Sequence, residues 1–112
     1  MLFLAKYHKR VYSQMGPVFY ALNSGSVADT IAASRQALPG MQQLWQQALN
    51  KANGVFVEGN RDLYLGLAMA AENMAQGCGL IVQSDHGNGY YDEATYEHGC
   101  SLVITGFSYF DG

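Results

Sequence analysis

The side chains capable of chemistry crowd into one segment, Asp85-His-Gly-Asn-Gly-Tyr-Tyr-Asp-Glu-Ala-Thr-Tyr-Glu-His-Gly-Cys100. It holds His86 and His98, two of the three histidines, and Cys100, one of the two cysteines. It also holds Asp85, Asp92, Glu93 and Glu97, four of the nine acids, with no Lys or Arg among them. Three kinds of chemistry fit these residue types. Cys100 with His98 or His86, and an acid to orient the imidazole, are the candidate catalytic residues for a nucleophilic reaction. Asp85, His86, Glu97, His98 and Cys100 are donor types that suit a metal ion. Tyr90, Tyr91 and Tyr96 with Glu93 and Glu97 make a candidate contact surface for a basic patch on a partner protein, because tyrosine brings large area at low entropic cost.

Spacing weighs differently on the three. There is no paired-cysteine motif and no His-Glu-x-x-His. Gly87 and Gly89 stand where a calcium loop needs oxygen ligands, and Tyr90 where it needs glycine. A strand over residues 90–97 sets His86 and His98 at opposite ends, roughly 25 Å apart at the rise of a strand. The same strand points Asp92 and Glu93 to opposite faces, so they form no catalytic pair. No nucleophile elbow, phosphate-cradling loop or dinucleotide fingerprint is present. A cysteine that opens an apolar strand is ordinarily a small buried residue. The sequence thus favours a protein-binding module, an inhibitor, adaptor or immunity-type factor, contacting its partner through Tyr90, Tyr91, Glu93, Tyr96 and Glu97. A small enzyme using Cys100, His98 or His86 is the alternative, and a metal-binding protein a further one. No cofactor and no metal site is expected.

The elements that must position this segment are read from periodicity. Leu2 to Tyr12 alternates as a strand does, although Leu4, Tyr7, Val11 and Tyr12 also share a helical face; it is taken as a strand. Residues 17–22 suit a pleated surface, with Pro17 at a strand end. Ser26 caps a helix that Pro39-Gly40 ends, and Met41, Leu44, Trp45, Ala48, Leu49 and Ala52 place a second helix before Asn53-Gly54. Val55-Phe-Val is a short strand or connector. Asn60 caps a third helix, apolar nearly all round from Leu63 to Ala71, as expected for a helix buried on both sides or at a subunit interface. Gly77 and Gly79 end it. Beyond lies a β-meander: a strand at residues 80–83, a turn at His86-Gly-Asn-Gly, a strand at 90–97, a turn at His98-Gly99, and a central strand over 101–110. The expected fold class is α+β, with about three helices packed on one face of a mostly antiparallel sheet, in a single domain spanning residues 1–112.

Composition bounds the function. With 112 residues the chain supports one core. Only 13% of residues are charged, against about 25% in soluble domains, which favours contact with other chains and a homo-oligomer. Residues 1–51 carry Lys6, Lys9, Arg10, Arg35 and Lys51 against Asp29, while the later half carries Arg61 against Glu58, Asp62, Glu72, Asp85, Asp92, Glu93, Glu97 and Asp111. Such asymmetry can steer head-to-tail association, but folding is expected to interleave the halves and erase it. A net charge of −3 argues against nucleic acid as a partner, despite Lys6, His8, Lys9 and Arg10 near Tyr7 and Tyr12. The apolar run 63–71 falls short of the ~20 residues a membrane span needs, and Cys78 and Cys100 make no disulfide framework, so a reduced, cytoplasmic setting is expected.

Overall fold

The computed structural model describes residues 2–54 and 58–110. Four α-helices account for nearly all of it: α1 (Leu2–Ser24), α2 (Val27–Asn53), α3 (Glu58–Gln83) and α4 (Glu93–Phe107), closed by a 3₁₀ turn at Ser108–Phe110. The two strands, β1 (Asp85–Gly87) and β2 (Tyr90–Tyr91), form one small antiparallel hairpin between α3 and α4. This corrects the expected α+β fold. Residues 2–12 and 17–22 are helix rather than strand, residues 80–83 are the last turn of α3, and both His98-Gly99 and residues 101–107 lie inside α4. The C-terminal β-meander is therefore absent, apart from the hairpin. Val55-Phe-Val lies outside the described residues.

Each correction has a physical reason. Tyr7, Val11, Met15 and Val18 recur three or four residues apart and are buried, which is a helical stripe. Pro17 sits exposed in α1, and Pro39 exposed in α2, so each ring projects to solvent while the stripe on the other side continues. In α2 that stripe runs through Thr30, Ile31, Ser34, Ala37, Met41, Leu44, Ala48 and Ala52 with no break in phase at Pro39-Gly40. One buried face costs less to extend than two helices cost to cap separately, and the missing amide bond is tolerated. Ser26 does cap this helix, its Oγ accepting from the Asp29 amide at 3.2 Å.

α3 is the central helix, with α2 and α4 packed along its two flanks. α1 lies over this layer. Its side chains reach α3 through Met15 against Cys78 (sulfur to sulfur, 3.8 Å) and Tyr7 against Tyr64. They reach α4 through an aromatic cluster of His8, Tyr12 and Phe19 around Phe107. Met15, Met41, Leu44, Leu67, Met74, Ile81 and Val103 are fully buried and form the core. Gly59–Gln83 is long and apolar enough to cross a membrane by length and composition, with an 18-residue window at a mean hydropathy of 1.2; half of that window is buried inside the bundle, where a core helix carries the same composition.

The α3–α4 contact depends on small residues. A Cβ on Gly77 would stand 2.6 Å from the Gly99 carbonyl oxygen, and one on Gly106 2.6 Å from that of Ala70. Backbone meets backbone there, so Gly77 continues a helix it was expected to end. The bundle is elongated, 51 × 21 × 19 Å. Its helices alternate in direction, and the charges sort by end. Lys6, Lys9, Arg10, Lys51 and Arg61 lie at one end with Asp62 and the first residue of α3, Glu58. Asp29, Asp85, Asp92, Glu93 and Glu97 lie at the other with Arg35. The two halves of the sequence do interleave, but the asymmetry is not erased.

Candidate interaction site at the tip of the bundle

The acidic end carries the hairpin. Gly87 (φ 84°), Asn88 (φ 56°) and Gly89 (φ 84°) turn the chain through the left-handed region, which glycine and asparagine enter at little cost. Asp85 pairs with Tyr91 and Gly87 with Tyr90, with an irregularity between the two pairs. Asp85 Oδ1 accepts from the Gly87 amide at 3.0 Å and Oδ2 lies 3.5 Å from Arg35 Nη2, which tethers the hairpin to α2. The base is closed by the Asp92 amide donating to the Ser84 carbonyl at 2.8 Å, and by buried Ser84 Oγ donating to the Ile81 carbonyl at 2.6 Å. Asp92 then occupies the N-cap of α4 in an extended conformation, its carboxylate accepting from the Thr95 hydroxyl.

Tyr90 projects from this frame with 75% of its surface exposed. Tyr91, on the next strand position, leans edge-on against Tyr96 with ring centroids 5.3 Å apart. Tyr96 is half-buried, and burial pushes its phenol above the ordinary range, an effect the nearby Thr30 hydroxyl of α2 partly offsets. Tyr96 therefore supports the tip, and Tyr90 and Tyr91 present it. Glu93 and Glu97 are exposed one turn apart on α4, so their carboxylates share a side of the helix. A cavity of about 220 Å³ between the hairpin and α2 is lined by Val27, Ile31, Arg35, Asp85, Tyr90 and Tyr91. Sequence reasoning missed the α2 contribution, because no local pattern shows which helix the hairpin leans on.

The candidate catalytic residues are arranged otherwise. His86 is exposed on β1. His98 and Cys100, two residues apart on a helix, point about 200° apart around its axis. His98 lines an open groove beside α2 and α3, whereas Cys100 is half-buried near Tyr96. Burial pushes the Cys100 thiol up, partly offset by the Tyr96 hydroxyl, so the thiolate is disfavoured. The helix also replaces the strand that set His86 and His98 at its two ends and Asp92 and Glu93 on opposite faces. Among the described residues no group of three or more His, Cys, Asp or Glu side chains is arranged to hold a metal ion.

A second feature had only a faint signal in the sequence. The side of the α2–α3–α4 layer away from α1 is open, with a groove of about 720 Å³ walled by Leu38 and Trp45 of α2, Leu80 of α3 and Leu102 of α4, and edged by Gln42, Gln76 and Gln83. Exposed Leu65 and Met69 continue the Gln76 stripe of α3 toward the basic end. The nearly all-round apolarity of α3 was that signal. No family model, curated protein or solved structure matches this chain.

Proposed function

We propose that this chain is a small protein-binding module that pairs with a second copy of itself, using the Tyr- and acid-bearing tip at residues 85–97 as the charged part of the contact. The observation that carries this is the sorting of charge to opposite ends of a 51 Å bundle. Two copies laid antiparallel bring the acidic tip of each over the basic end of the other. A two-fold arrangement satisfies both ends at once and closes the assembly. The groove supplies what such a pair lacks in charge: Leu38, Trp45, Leu80 and Leu102 are an apolar centre edged by glutamines, the composition of an interface with a polar rim. Tyr90 fits the same role at the tip, since exposed aromatic rings anchor contacts at low entropic cost.

Light scattering on the eluting protein tests the reading. A dimer is expected at micromolar concentration, weakening as salt rises from about 50 mM to about 500 mM, because end-to-end charge attraction is screened. Replacing Tyr90, Tyr91 and Glu93 by alanine is expected to shift the dimer toward monomer while the helical circular dichroism is kept. A clean monomer at high micromolar concentration overturns the proposal, as does a dimer indifferent to the triple replacement.

A further inference from the structure

The basic end holds a crevice between α1 and α2 with a volume of about 190 Å³. Lys6 and Arg10, one turn apart on α1, face Gln47 and Lys51, one turn apart on α2, across it. No acid lines it. The cations are held in place. Arg10 Nη1 donates to Gln47 Oε1 at 2.9 Å, which engages one N–H of the guanidinium fork and leaves its other N–H donors for a ligand. Lys6 Nζ lies 5.5 Å from the Tyr7 ring centroid and Lys51 Nζ 5.8 Å from that of Tyr64. These two rings meet edge to face at 6.4 Å, so one aromatic pair anchored in α1 and α3 steadies both ammonium groups.

Three like charges lining one hollow repel one another; the N-terminus of α1 adds positive potential near Lys6, and the C-terminus of α2 offsets part of it near Lys51. α1 has no acidic residue in its first turn to offset this. Among the described residues the one ion pair is Arg35 with Asp85, at the far end. A ligand with concentrated negative charge relieves that repulsion. The volume lies below the roughly 300–1,000 Å³ of pockets that take drug-sized molecules, so the ligand is small. We propose that the crevice bounded by Lys6, Arg10 and Lys51 is a binding site for a small oxyanion of the phosphate class, with Arg10 gripping two oxygens and the lysines neutralising the rest.

The test uses the full chain at a concentration below pairing, so its result does not depend on self-association. Pyrophosphate is titrated into isotopically labelled protein in low-salt buffer, and amide shifts are followed. The amides of Lys6, Arg10, Gln47 and Lys51 are expected to move together along one saturating curve, with chloride at equal ionic strength producing no such curve. Arg10→Gln and Lys51→Gln are each expected to weaken binding about tenfold, whereas Gln43→Ala, exposed on α2 outside the crevice, leaves it unchanged. Vesicles carrying phosphatidic acid distinguish the source of the phosphate. Soluble pyrophosphate that binds and releases the chain from vesicles places both in the crevice. Vesicle binding with no response to soluble pyrophosphate overturns the site in favour of diffuse charge. Non-saturating shifts, or affinity indifferent to Arg10→Gln and Lys51→Gln, overturn it as well.

Discussion

At the scale of single residues the two cysteines show how burial decides chemistry. Cys78 is fully buried against Met15, and burial pushes its thiol from 9.0 up to about 12; the half-buried Cys100 thiol is raised for the same reason. Both thiols are free and protonated at neutral pH. Alkylation of either in the folded protein is expected to be slower than that of a small free thiol, with Cys78 slower than Cys100, as followed by mass spectrometry at neutral pH. A Cys100 that reacts faster than a free thiol contradicts this and restores the nucleophile. The same shift predicts a pH dependence. Because the folded thiol of Cys78 ionises at higher pH than the unfolded one, its stabilising contribution is complete below about pH 9 and is lost as pH rises toward 12. The loss proceeds at up to ~1.4 kcal/mol per pH unit. Urea midpoints across that range should fall less steeply in Cys78→Ala than in the parent chain, and parallel slopes contradict the assignment. Much of the tip was legible at this scale. Gly87, Asn88 and Gly89 announce a turn through their own backbone preferences, and Tyr90 follows directly. Tyr96 was not legible as a support, because its partner, Thr30, is distant in sequence and lies on another helix.

At the scale of elements, the α3–α4 contact is where sequence and structure diverge most. Residues 101–105, Ser-Leu-Val-Ile-Thr, have the β-branched character of a strand, yet they form helix because Gly99, Val103 and Gly106 present a narrow, nearly side-chain-free face to α3. A helix that packs through glycine shows little contrast between its faces, so periodicity cannot reveal it. Tertiary contact overrides local preference there. In α2 the opposite holds: the unbroken stripe across Pro39 was readable, and proline and glycine were given too much weight as stops. The close contact yields a prediction. Gly99→Ala gains about 1 kcal/mol of helix propensity but drives a methyl against the Gly77 carbonyl and Ile81. Overpacking against backbone costs about 1–3 kcal/mol, so a net loss of stability is expected. Gly79→Ala, with nothing within 4 Å of the added carbon, is expected to stabilise by about 0.5–1 kcal/mol. Urea denaturation of the two variants measures the difference, and equal midpoints contradict the account of the crossing.

At the scale of the whole molecule, net charge conceals the arrangement that matters. A chain with a net charge of −3 reads as mildly acidic. Folded, it is a rod with Lys6, Lys9, Arg10, Lys51 and Arg61 toward one end and Asp85, Asp92, Glu93 and Glu97 toward the other. The asymmetry between sequence halves was visible beforehand, but its fate depended on helix directions that no composition reveals. Antiparallel pairing follows from that layout and makes a reciprocal demand. A chain with Glu93→Lys and Glu97→Lys cancels the charge of its tip and loses the attraction in its own pair. One with Lys9→Glu and Arg61→Glu turns its base weakly acidic and sets like charge against like. Mixed, the basic end kept by the first variant meets the acidic tip kept by the second. Sedimentation velocity of each variant alone and of the equimolar mixture, at low ionic strength, tests the pairing most directly. Each variant alone should sediment as a monomer and the mixture as a dimer; a mixture that sediments like its separate components contradicts the antiparallel pair.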